Sequence, residues 1–125
     1  MTVAITGLTF EKVADHRAPE GHYARFDGSG TYTAADFTIT ASDGLGFTPN
    51  KVLVLNLTDR NETLAYINSN LGTSNAEGLK TVAAGTRTYA AHGVTVATRS
   101  VTVDVSVAGP ITDNDDFVIE CWGAD

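Results

Sequence analysis

From Ser100 to Val107 every odd position is valine and every even position is Ser, Thr or Asp. Side chains along a β-strand alternate between faces with a period of two, so this run buries a row of valines and wets the opposite face. In a helix the same valines would be spread around the whole circumference. The segment therefore predicts a strand, and with it a chain organised by sheets. Phe37 and Ile39 alternate with Thr38 and Thr40 until the turn residues Ser42-Asp43-Gly44. Thr86, Thr88 and Ala90 alternate with Arg87, Tyr89 and Ala91 before Gly93. Val94 and Val96 have the opposite parity from Val101, which requires a turn or bulge near Thr98-Arg99-Ser100.

Two segments depart from this half-wet pattern. Lys51 to Leu57 is apolar on both parities, and the final strand, Phe117 to Trp122, carries Phe117, Ile119 and Cys121 on one face and Val118, Glu120 and Trp122 on the other. Both call for cover on each face, from a loop, the N-terminal segment or another subunit. Residues 11 to 25 are polar and aperiodic, and Asp27-Gly28-Ser29-Gly30 has the composition of a flexible joint. The expectation is one all-β domain: a single antiparallel β-sandwich, jelly-roll-like, of seven or eight short strands over residues 31–125, preceded by an extended or irregular N-terminal arm over residues 1–30.

The 125 residues suit one domain, and the lone cysteine, Cys121, forms no internal disulfide framework, which fits synthesis in a reducing cytoplasm. No apolar run reaches the about 20 residues of a membrane-spanning helix, and the first residues lack the pattern of a signal peptide. Neither a membrane nor a secretory route is expected, so the sequons at Asn56-Leu57-Thr58 and Asn61-Glu62-Thr63 read as chance matches. The net charge is −7 and the eight basic residues are scattered, which argues against direct nucleic-acid binding.

Catalytic and metal-binding patterns are missing in turn. His16 and His22 stand six apart, with His92 remote, and no cysteine pair completes a zinc set. The Asp113-Asn114-Asp115-Asp116 turn lacks the glycine and distal glutamate of a calcium loop. Gly28-Ser29-Gly30 has the wrong spacing for a nucleophile elbow, and Gly44-Leu45-Gly46 opens no helix to cradle a phosphate. Cys121 shares its face with Phe117 and Ile119 and reads as a small buried hydrophobe. The expectation is a protein that is not an enzyme and has no cofactor or metal. The residues assigned to an interface are Val3, Ile5, Phe10, Arg17, Arg25, Phe26, Leu53, Leu55, Val118 and Trp122.

The segment from Phe47 through Pro49, Lys51, Val52, Val54 and Asn56 to Thr58-Asp59-Arg60 resembles small virion proteins of tailed bacteriophages, which carry a GF-x-P-x-K-V-x-V-x-N-x-T-D-R stretch. Thr81 with Gly85-Thr86-Arg87-Thr88 is similar to the T-x-x-x-G-T-R-T segment of the same group, and Gly93-Val94-Thr95-Val96 to its x-G-I-T-V strand. Asp116 to Trp122 is similar to its closing strand, so the likeness spans residues 36 to 122. Those proteins carry Trp or Tyr-Trp after the arginine, where this chain has Leu64-Ala65-Tyr66-Ile67.

The resemblance implies a capsid cement or decoration protein on the outside of the virion head, seated on the major capsid protein and homo-oligomeric, with a trimer favoured. Two alternatives stand beside it. One is a tail or baseplate component. The other is a carbohydrate-binding sandwich with Trp122, Tyr66 and Tyr89 as its platform and the Asp113 to Asp116 turn as a cation site.

Overall fold

The computed structural model describes residues 3–18, 21–66, 77–106 and 109–123. Among the described residues, ten strands run in chain order: β1 (Leu8–Ala18), β2 (Gly21–Gly30), β3 (Phe37–Ile39), β4 (Lys51–Asn56), β5 (Asn61–Tyr66), β6 (Glu77–Thr81), β7 (Arg87–Ala91), β8 (Val94–Ala97), β9 (Ser100–Val103) and β10 (Phe117–Gly123). They form two antiparallel sheets, one of seven strands in the order β1-β2-β10-β4-β5-β6-β7 and one of three in the order β3-β9-β8. The fold is an all-β sandwich.

The core lies between the sheets. Phe10 stacks on Phe26 at 5.6 Å, and Phe37 and Phe117 complete an aromatic cluster around them. Ile39, Val52, Val54, Val94, Val101, Val103, Ile119 and Cys121 fill the remainder. The alternation in β4 and β9 is thus sorted as a strand's pleat requires, with Val52, Val54, Val101 and Val103 inward. A short 3-10 turn, Ala41–Asp43, follows β3; it is capped by Thr40 and ends at Gly44, whose φ of +100° is the left-handed conformation glycine tolerates.

The N-terminal arm is corrected by this structure. β1 and β2 pair as antiparallel neighbours, and β2 pairs from His22 to Gly28 with β10 inside the larger sheet. Alternation is lost in β1 because the register slips between Lys12 and Ala14, a bulge that throws later side chains out of phase. The apparent joint at residues 27–30 also has another cause. A Cβ on Gly28 would collide with the Phe117 ring, and one on Gly30 with the carbonyl of Gly7. These glycines admit close neighbours within the sheet.

The valine strand is shorter than its pattern. β9 ends at Val103; Asp104 N–H still donates to the carbonyl of Gly93, and beyond it the Asp104 carboxylate accepts the N–H and hydroxyl of Ser106 in a local turn. Val105 still packs against the core, and Val107 lies outside the described residues. The parity break between Val96 and Val101 is a two-residue hairpin turn in which Arg99 takes a φ of +48°.

Candidate functional site: the outer face of the large sheet

Paired residues in an antiparallel sheet share a face, so the register lays out the surface turned away from the core. One row crosses six strands as Arg25, Glu120, Leu53, Leu64, Leu79 and Tyr89. The next row is Asp27, Val118, Leu55, Glu62, Thr81 and Arg87. A third places Tyr23, Trp122 and Lys51 side by side. Leucines of three neighbouring strands therefore adjoin one another, with Val118 and Leu55 beside them. Leu53, Leu55, Leu64 and Leu79 are half-buried, Val118 is 7% exposed, and Tyr89 at the sheet edge is 65% exposed. Leu57, just beyond β4, is 57% exposed. Contiguous apolar side chains of this kind mark contact surfaces more often than isolated ones do.

A polar border flanks the leucines on the β2 side. Arg25 donates from Nε and a terminal nitrogen to both oxygens of Asp27, at 2.8 and 3.0 Å. Tyr23 donates its hydroxyl to Glu120 at 2.5 Å; burial first, then that carboxylate, pushes its pKa up to about 12. Lys51 Nζ lies 4.2 Å from the centroid of the Trp122 ring, and the Tyr23 ring leans on the same indole at 5.5 Å. At the other end of the face, Arg87 makes no ion pair among the described residues.

The interface residues assigned from sequence divide into three groups. Leu53, Leu55, Val118, Trp122 and Arg25 come together on this face. Phe10 and Phe26 belong to the core, and so does Val3, whose N–H points to Asp43 at 3.5 Å. These three are corrected: they are buried between the sheets and present nothing to a partner. Ile5 packs against the core, while Arg17 sits on the edge strand β1, bound to Asp15 and 4.9 Å from the centroid of the Phe47 ring. Leu64, Leu79, Asp27 and Arg87 were missed, and Tyr89 was named only for the carbohydrate alternative. Their common signal is parity within β2, β5, β6 and β7, but only the register between strands joins them.

The acidic turn works as a structural tie. Asp113 and Asn114 accept the N–H groups of Ala34 and Tyr32, at 2.7 and 2.9 Å. Asp115 is buried and accepts from the Thr112 hydroxyl and amide and from Asn56 Nδ2. Burial raises its pKa, but the bonds from Thr112 and Asn56 outweigh that and hold it below the ordinary value. Among the described residues, no three His, Cys, Asp or Glu side chains are grouped to hold a metal ion. For the carbohydrate alternative, the indole of Trp122 is engaged by Lys51 and Tyr23, and the side chain of Tyr66 lies outside the described residues. Compared with known proteins, the chain matches no family model, no curated protein and no solved structure.

Proposed function

We propose that this protein is a non-enzymatic structural component of a tailed-phage virion, a capsid cement that seats on the major capsid protein and stabilises the head. The observation that carries the reading is the leucine block on the outer face of the large sheet, where Leu53, Leu64 and Leu79 adjoin across three strands. Burying such a block against protein gains about 25 cal/mol for each Å² of apolar surface removed from water. The sequence likeness over residues 36–122 supplies the kind of particle. A mixed rim of Arg25, Asp27, Glu120, Lys51 and Glu62 gives a contact surface polar edges with both signs of charge.

The test uses heads assembled from the major capsid protein encoded with this chain, prepared without it. Purified protein added to these heads is expected to bind saturably and to raise their melting temperature, because a ligand of the assembled state stabilises that state. Saturating protein that leaves heads bare, or that labels only tails on intact particles, overturns the cement reading.

A further inference from the structure

We propose that the free edge of β7 pairs with the same edge of a second copy of this chain, joining two large sheets across a two-fold axis at Tyr89. This contact uses the edge of the sheet and leaves its outer face to the partner already proposed.

β7 ends the large sheet and pairs only with β6. The turn before it fixes which way its backbone groups point. Val82 N–H donates to the carbonyl of Thr86 at 3.1 Å, so the bonded pairs recur at every second position, Lys80 with Thr88 and Gly78 with Ala90. The N–H and C=O groups of Arg87, Tyr89 and Ala91 therefore point away from β6, and no hydrogen bond from a described residue meets them. Arg87, Thr88, Tyr89 and Ala90 are all exposed, so neither face of this strand is covered by a described residue. The other edge of the same sheet is guarded by a bulge in β1 and by the charges of Glu11, Lys12, Asp15 and Arg17. An unguarded edge with free ladder groups has room for one more strand.

Register, burial and charge select a second copy for that place. The outward groups are spaced evenly about Tyr89. An antiparallel two-fold there pairs Tyr89 with the partner's Tyr89 and Arg87 with the partner's Ala91, and every outward group of the strand gains a bond. Tyr89, at 65%, is the most exposed large apolar side chain among the described residues, and facing tyrosines cover each other across the seam. Beyond the partner's Ala91, the next position in the outer row is the partner's Glu77, about 10 Å from Arg87. In its own chain Arg87 has Glu62 at that separation beyond Thr81 and forms no ion pair with it. Its own Glu77 stands about 13 Å along the strands from Thr81, the residue beside Arg87. The seam thus sets an unpaired cation between two carboxylates, and no charge opposes its like. A shift of two residues either way leaves outward groups unbonded and parts the tyrosines. Joining β7 to β1 instead makes an open chain of copies, which the β1 charges oppose, whereas the two-fold closes at a dimer. That dimer is distinct from the trimer implied by sequence likeness.

The experiment uses the full chain in sedimentation equilibrium, with circular dichroism to confirm folding and amide hydrogen exchange to locate the contact. The wild type is expected to run as a dimer. Tyr89→Pro removes an outward donor and no bond to β6, so it should fold and run as a monomer. The amides of Arg87 and Ala91 should exchange at least tenfold faster in that monomer than in the wild type. Arg87→Glu replaces the cation at both ends of the seam with a third carboxylate and should dimerise about tenfold more weakly. Adding Glu77→Arg restores opposite charges across the seam, and affinity should return to within about threefold of wild type. The charge variants decide the matter where the proline variant fails to fold.

A wild-type monomer at the highest soluble concentration, a trimer, or a dimer whose Arg87 and Ala91 amides exchange freely overturns the proposal. So does a folded Tyr89→Pro that still dimerises, or a double variant no tighter than Arg87→Glu. Head binding is scored separately with wild-type protein, and decoration by a monomer sinks only the dimer.

Discussion

The carboxamide of Asn56 ties two loops to the end of β4. Its oxygen accepts the N–H groups of Thr58 and Asp59, closing the turn into β5. Its nitrogen donates to Asp115 at 2.6 Å and to the carbonyl of Pro110 at 3.1 Å, anchoring the loop before β10. A buried group with this many partners is costly to remove, because each partner is left short of a bond. Asn56→Ala should lower unfolding free energy by about 2–3 kcal/mol, read from urea titrations, whereas a residue acting only at a contact surface would leave it unchanged. The same fact explains what sequence could and could not tell about Asn56. Its spacing within Asn56-Leu57-Thr58-Asp59-Arg60 stands out as a motif, yet nothing local reveals that Pro110 and Asp115, two of its partners, lie more than fifty residues away. As a sequon it is inaccessible, being buried. Cys121 was more legible, since sharing a strand face with Phe117 and Ile119 implies burial, and burial pushes its thiol up to about 12.

At the level of elements, strands with clean alternation could be read directly and bulged ones could not. β3, β8 and β9 fall where hydrophobic parity puts them, because the inner face of the smaller sheet selects their inward residues, and β4 and β10 fall where segments apolar on both parities put them. The β1–β2 pair was hidden for two physical reasons. β1 is an edge strand, where Glu11, Lys12, Asp15 and Arg17 face water and discourage further strand pairing. The glycines of β2 have the composition of a loop, yet they give room to Phe117 and to the backbone at Gly7. Gly28→Ala should therefore destabilise the fold by about 1–3 kcal/mol in urea unfolding, the usual cost of overpacking. Were residues 27–30 a free joint, the same change would be neutral or slightly stabilising. The outer face was only partly legible for a related reason. The excess apolar residues of β4 and β10 signalled it, but Leu64, Leu79 and Tyr89 join them through registers that no short window of sequence contains.

At the scale of the whole molecule, carboxylates tie loops to the sandwich and set its pH range. Asp115 is held below the ordinary value of 3.8 against the effect of burial, and Asp104 is lowered by its bonds from Ser106. A carboxyl that is more acidic folded than unfolded contributes stability above its unfolded pKa and loses it as pH falls through the folded value. Urea midpoints should therefore hold steady near neutrality and decline below about pH 4, with a shallower decline in Asp115→Asn. The tyrosines act in the opposite sense. Tyr23 and Tyr32 are raised from 10.0 to about 12, chiefly by burial, so their contribution is complete below pH 10 and fades as the solution approaches pH 12. The order of the large sheet has a kinetic consequence as well. β10, last of the strands in the chain, lies between β2 and β4 and is their shared neighbour. On the ribosome, both earlier strands wait without it until residues 117–123 have left the exit tunnel. The central sheet thus closes late, through pairings spanning some sixty to one hundred residues of sequence, and its assembly belongs to the slow, non-local class of folding reactions.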